Sequence, residues 1–133
     1  MTSLELHKNG AGNKFPAKER VKSQKIAEEL FSKGSSHYLY PYRLLSLNDP
    51  LFKGNMPQVL ISVPKRIFKK AVDRNRIKRQ IREAYRLNKR KIFASFEKDK
   101  MPAYLGIIYT AKEKLDYKIL EEKLILILER LKK

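Results

Sequence analysis

Between Lys65 and Lys91 the chain holds thirteen of its 31 lysines and arginines against two acids, Asp73 and Glu83, a local excess of eleven within a total charge of +17. Lys70, Arg74, Lys78, Arg82, Arg86 and Arg90 recur at every fourth position, the interval that stacks side chains along a helix surface. Guanidinium and ammonium groups donate hydrogen bonds and accept none, so the chemistry on offer is anion binding, phosphate above all. At 1.5 Å rise per residue the six cations form a ladder with rungs about 6 Å apart over roughly 30 Å, which suits a polyanion's backbone better than a small metabolite. Each like-charge i,i+4 pair weakens a helix by about 0.2–0.5 kcal/mol, so the five pairs together cost about 1–2.5 kcal/mol. A chain that keeps such an arrangement has a use for it.

Groups able to break bonds are scarce. His7 and His37 are the only histidines and cysteine is absent, which excludes disulfide scaffolds, thiolate-ligated metals and thiol catalysis. No HExxH, calcium-loop or Gly-rich phosphate-cradling motif occurs. We expect no protein catalytic residue and no resident metal site. Residues 1–14 lack the apolar stretch of a secretory signal, and no apolar run approaches the roughly 18–20 residues of a transmembrane helix. The expectation is a soluble, cytoplasmic protein without a membrane partner or an obligate protein partner. A net charge of +17 favours nucleic acid, whose phosphates release condensed counterions on neutralisation.

The elements that must carry these residues follow from periodicity. A chain of 133 residues fits one domain; residues 1–14 read as a mobile tail and 15–133 as the folded unit. Val21, Ile26, Leu30 and Phe31 mark a first helix over 17–33, stopped by Gly34 as a C′ residue. Residues 37–47 are predicted to form a strand, with Pro41 pushing it towards an edge or a bulge. A second strand follows at 58–63, closed by Pro64. The basic segment then runs as a long helix over 69–97, its buried stripe approximated by Val72, Ile77, Ile81, Ala84, Tyr85, Asn88, Ile92 and Phe96. Asp73 is expected to pair with a neighbouring arginine. Residues 103–110 read as a buried strand, and Tyr117, Leu120, Leu124, Ile127, Leu128 and Leu131 as a terminal amphipathic helix. This order predicts an α+β fold in which helices pack on a small sheet.

The run Ile61-Ser62-Val63-Pro64-Lys65-Arg66, followed by Ala71-Val72-Asp73-Arg74-Asn75-Arg76-Ile77-Lys78-Arg79-Gln80-Ile81-Arg82-Glu83-Ala84, resembles the bacterial ribonuclease P protein component. The likeness extends as a pattern over about 15–131, including Phe15-Pro16 before the first helix. It implies a sandwich like the second domain of ribosomal protein S5, with a left-handed strand–helix–strand crossover. It implies two partners, a large catalytic RNA and precursor tRNA, whose 5′ leader the RNA removes with magnesium ions held mainly by the RNA itself. Arg74, Asn75, Arg76, Lys78, Arg79 and Arg82 match the family's RNA-contacting motif, and Lys65 and Arg66 its basic pair after the strand. Lys70 and Arg86 extend that surface along the ladder. The resemblance further implies a cleft between the first helix and the sheet where aromatic rings contact the leader. Phe31 occupies a matching position, whereas Ala27 and Leu45 stand where the family carries aromatics. Tyr38, Tyr40 and Tyr42, of one strand parity, are the candidates to replace them. The principal alternative is a structural rRNA-binding protein without a role in cleavage. A helix-turn-helix DNA reader is disfavoured because a strand and Pro64 precede the basic helix.

Overall fold

The structure, a computed structural model, describes residues 19–52, 56–97 and 100–132; the tail predicted at 1–14 lies outside them. Four strands form a mixed sheet in the order β1-β2-β4-β3: β1 Ser35–Leu39, β2 Tyr42–Leu47, β3 Gln58–Ser62 and β4 Tyr104–Tyr109. β2 lies antiparallel to both β1 and β4, and β3 runs parallel to β4. Three helices complete the fold: α1 Gln24–Lys33, α2 Ala71–Phe93, which links the parallel strands, and α3 Tyr117–Glu129, followed by a 3-10 turn at Arg130–Lys132. The predicted α+β class is the observed one.

Two apolar layers hold the sheet. On one face Tyr42, Leu44, Leu105, Ile107 and Tyr109 pack against Ile77, Ile81, Ala84 and Tyr85 of α2 and Leu120, Leu124, Ile127 and Leu128 of α3. On the other a smaller cluster joins Leu30 of α1 to Leu45 and Ile108, with Val21, Leu47 and Tyr104 at its margin. Gly106 lies between Leu45 and Leu60 in register, and a Cβ added there would stand 3.6 Å from Leu45 and 3.9 Å from Leu30. Both are ordinary contact distances, so a methyl group at this position would fit beneath α1.

The structure corrects several sequence expectations. The single strand predicted over 37–47 is a hairpin, turning at Tyr40-Pro41, whose peptide is cis, so that Leu39 faces Tyr42. The turn is held from the residue just after β4, Thr110, which donates to the Pro41 carbonyl through both its backbone N–H (2.8 Å) and its hydroxyl (3.0 Å). The first helix begins only at Gln24, because Ser23 is its cap, accepting from the Ile26 N–H at 3.3 Å. The residues before it extend along the sheet instead, where Arg20 bridges Val59 and Val21 N–H donates to the Val59 carbonyl. Gly34 does follow the helix, yet with φ −68° and ψ 149° it uses none of glycine's left-handed freedom. Its role is close approach: a Cβ would lie 2.5 Å from the Leu30 carbonyl oxygen.

Candidate nucleic-acid interface

Ala71–Phe93 forms the long basic helix that the sequence predicts. Lys70 precedes it as an extended cap residue, and Asp73 places a carboxylate in the first turn, where the helix dipole favours one. The Asp73 partner differs from expectation. Its Oδ1 lies 2.9 Å from Nζ of Lys114 in the β4–α3 loop, not against an arginine of its own helix. That bond holds the carboxyl below its ordinary range, with further help from Lys70 and Arg76. An arginine neighbour on the helix would have spent a guanidinium on the carboxylate, whereas Lys114 leaves the helical cations outward.

The cationic ladder is not one stripe. Four residues overshoot a turn by about 40°, so the six rungs wind roughly 200° around the helix. The early rungs therefore begin beside the buried face of Ile77, Ile81, Ala84 and Tyr85. Arg74 is half-buried and Nη1 donates to the carbonyls of Phe68 and Lys69, both at 2.8 Å. It clasps the turn before the helix. Lys78 is half-buried as well. Arg86 is held by Glu83 through Nε–Oε1 at 3.1 Å and Nη2–Oε2 at 2.7 Å, a fork-to-fork pair. This pairing pulls the Glu83 carboxyl down and the Arg86 guanidinium up from their ordinary ranges.

The outward side of α2 instead carries Asn75, Arg76, Arg79, Arg82 and Arg90, all exposed. Val72, expected in the buried stripe, is 70% exposed on this side, because its position lies opposite Ile77 and Ile81 around the helix. Lys65 and Arg66 lie exposed in the turn after β3, where the Pro64 carbonyl accepts from Ile67 and Phe68. With Lys69 and Lys70 they carry the basic surface back from the helix start to the sheet. Sequence reading missed that one cation of the run points inward. Lys89 is 2% exposed, its Nζ 2.5 Å from Oε1 of Glu19. Asn88, counted with the apolar stripe, is half-buried and ties α2 to α3, donating to Ala84 O at 2.8 Å and Glu121 Oε2 at 2.9 Å.

The four aromatic candidates separate. Phe31 and Tyr38 are 50% and 58% exposed, and Tyr38 shares a sheet face with Leu45 and α1. Tyr40 sits at the hairpin tip, 45% exposed, its hydroxyl donating to Glu113. Tyr42 is corrected outright. The turn at Tyr40-Pro41 reverses parity, so Tyr42 enters the core with no exposed surface, edge-on to Tyr109 at 6.3 Å, its hydroxyl donating to the Leu120 carbonyl at 2.8 Å. Burial pushes this phenol far up. Tyr42→Phe is expected to cost about 1–2 kcal/mol, since the Leu120 carbonyl loses its donor, and to leave RNA affinity unchanged. Urea unfolding alongside a binding titration checks both halves.

The described residues contain no group of three or more His, Asp or Glu side chains placed to hold a cation. Among the described residues no helix is long and apolar enough to cross a membrane. What the fold and its surface define is a small α+β sandwich that displays one cationic helix and the basic turn leading into it.

Comparison with known proteins agrees. The chain belongs to the ribonuclease P protein family, whose model, described as Ribonuclease P, matches residues 15–132. It is 30% identical over 103 residues to the ribonuclease P protein component of Porphyromonas gingivalis, covering 77% of this chain and 75% of that one. Among solved structures it is similar to the Staphylococcus aureus RNase P protein, with TM-score 0.68, 22% identity, and coverage of 86% of this chain and 95% of that one. The Thermotoga maritima RNase P protein gives TM-score 0.67 at 24% identity, covering 84% and 96%. At those identities the structural likeness speaks for the fold, and the sequence match carries the family.

Proposed function

We propose that this chain is the protein subunit of a ribonuclease P in which a catalytic RNA hydrolyses the phosphodiester bond at the 5′ end of tRNA in its precursor. The observation that carries this reading is the outward set Arg76, Arg79, Arg82 and Arg90 on a helix of a chain in this family. Guanidinium groups fork onto phosphate oxygens at spacings a folded RNA backbone offers. Lys65, Arg66 and Lys70 lengthen the contact. Asn75 adds a neutral donor and acceptor, suited to a sugar hydroxyl or a base edge.

The chemical step belongs to the RNA and its magnesium ions, and the protein's part is positional. Its cations lower the repulsion between the catalytic RNA and the incoming substrate, so that fewer free magnesium ions are needed to bring them together. Phe31 and Tyr38 present rings on the α1 side of the sheet, where unpaired leader bases can stack. This work is done in the cytoplasm, where tRNA precursors are made.

Single-turnover cleavage of a precursor tRNA by a bacterial ribonuclease P RNA at low magnesium, with and without the chain, tests the reading. Stimulation of at least about tenfold is expected, roughly 1.4 kcal/mol of assistance. No stimulation, together with co-purification on ribosomal subunits, would replace it with a structural role on rRNA.

A further inference from the structure

The two edges of the sheet differ. Beside β3, Arg20 bridges Val59 and the Val21 N–H donates to the Val59 carbonyl, so that edge is covered. β1 ends the sheet on the other side. Among the described residues its outer edge meets one group alone, the Arg130 guanidinium, whose Nη1 donates to the Tyr38 carbonyl at 2.9 Å. That bond fixes which way the strand's amides point. The Tyr38 carbonyl is turned away from β2, and in an antiparallel strand the N–H and C=O of one residue point to the same side, with every second residue alike. The Tyr38 N–H and both backbone groups of Ser36 therefore lie along the open edge, while His37 and Leu39 turn towards β2.

An unpaired edge is a template for another strand, and both of its flanks suit a particular one. On the α3 side, Ile119, Lys123, Leu126 and Arg130 recur at steps of four, three and four residues, which places them on one face of the helix. The bond from Arg130 turns that face towards β1, and the Asn88 bond to Glu121 puts α2 on another. Ile119 is 38% and Leu126 52% exposed there. On the opposite side of the sheet, the side that α1 packs on, Arg43 reaches from β2 over β1, its Nε donating to the Ser36 hydroxyl at 3.2 Å. Arg43 and Arg130 are both exposed, and among the described residues no carboxylate pairs with either. A guanidinium thus flanks the open amides from each face of the sheet, in a chain of charge +17.

We propose that the β1 edge is a strand-addition site for an extended acidic segment of a partner protein, one in which apolar and acidic residues alternate. The backbone groups of Ser36 and Tyr38 pair with the incoming strand, its apolar side chains lie on Ile119 and Leu126, and its carboxylates, on the other face, meet Arg43. A carboxylate that takes Arg130 frees the Tyr38 carbonyl for a peptide N–H, so Arg130 is the latch of the edge. RNA phosphates would satisfy both guanidinium groups but bring no row of N–H donors for the Ser36 carbonyl and nothing apolar for Leu126. The site lies at the far end of the sheet from β3 and the turn with Lys65 and Arg66, uses only the backbone of Tyr38, and does not depend on the function proposed above.

Two capped peptides of about ten residues alternating valine and glutamate test it, one plain and one N-methylated throughout, which keeps the charge and removes every N–H. Anisotropy titration of the full chain at physiological salt is expected to show the plain peptide bound at least about tenfold more tightly than the methylated one. Leu126→Glu and Arg43→Ala, both at exposed positions, should each weaken the plain peptide at least about fivefold with the urea midpoint unchanged. Exchange of the Ser36 and Tyr38 amide protons should slow when that peptide is added. Equal affinity for the two peptides, unchanged exchange at both amides, or full affinity in either variant overturns the site. A single-stranded RNA of matched charge that displaces the peptide and protects the same amides overturns it too, giving the edge to nucleic acid.

Discussion

Replacing Arg76, Arg79 and Arg82 together by alanine is expected to lower affinity for the catalytic RNA by about a hundredfold or more at physiological salt. The estimate takes about one decade for each charge-assisted phosphate contact, with some loss shared between neighbours. The more specific signature is in the salt dependence. Each neutralised phosphate adds roughly 0.9 to the slope of log affinity against log salt on a duplex and about 0.7 on a single strand, so the triple variant should flatten that slope by about two to three. Folding should be unharmed, because all three side chains are exposed and no hydrogen bond or ion pair to another described residue holds them. Arg74→Ala is the instructive contrast. Its guanidinium is committed to the carbonyls of Phe68 and Lys69, so this change should loosen the turn before α2 and cost stability before it changes the slope. Filter binding from low to high salt distinguishes the two, and an unchanged slope in the triple variant would remove the outward face of α2 as the phosphate site.

The second large effect lies inside the protein. Lys89→Ala should destabilise the fold by about 3–5 kcal/mol, the usual cost of stranding one partner of a buried ion pair. The ammonium side chain is 3% exposed and the Glu19 side chain 13%, so neither charge has ready access to water. This bond fastens the segment before α1 to α2, across a separation of 70 residues. Against a typical total of about 5–15 kcal/mol such a loss is severe. A double variant, Lys89→Met with Glu19→Leu, removes both charges and keeps volume, and should recover most of the loss. Urea denaturation of the singles and the double closes the cycle. A Lys89→Ala midpoint equal to the parent's would show that Glu19 finds water once its partner is gone.

These two variants touch members of one basic run, and the sequence does not separate their fates. Thirteen cations in 65–91 read as a uniform face, yet Arg76 is exposed, Arg74 is half-buried on carbonyls, and Lys89 is in the core. A period of four approximates the helix repeat closely enough to look like a stripe, but the remainder accumulates with every step. About five and a half turns later, at Arg90, the row has left the face on which it began at Lys70. An outward reading of the helix from Val72 would have required knowing that Val72, a β-branched apolar residue, is left in solvent.

The sequence by itself determined the α+β class, the long basic helix, the amphipathic α3, the buried β4 and the family. Each rests on local signals, namely periodicity, cap and breaker residues and one extended motif, which neighbouring residues supply without help from the rest of the chain. Tertiary structure alone decided which sheet face each tyrosine meets, because one two-residue turn at Tyr40-Pro41 reverses the parity of everything after it. It also decided that Tyr42 belongs to the core, that Asp73 answers to Lys114, and that Lys89 turns inward to Glu19. Those partners lie tens of residues apart, and the energy that selects them is desolvation and Coulomb attraction at short range. Such terms depend on distances in space that exist only once the helices have closed on the sheet.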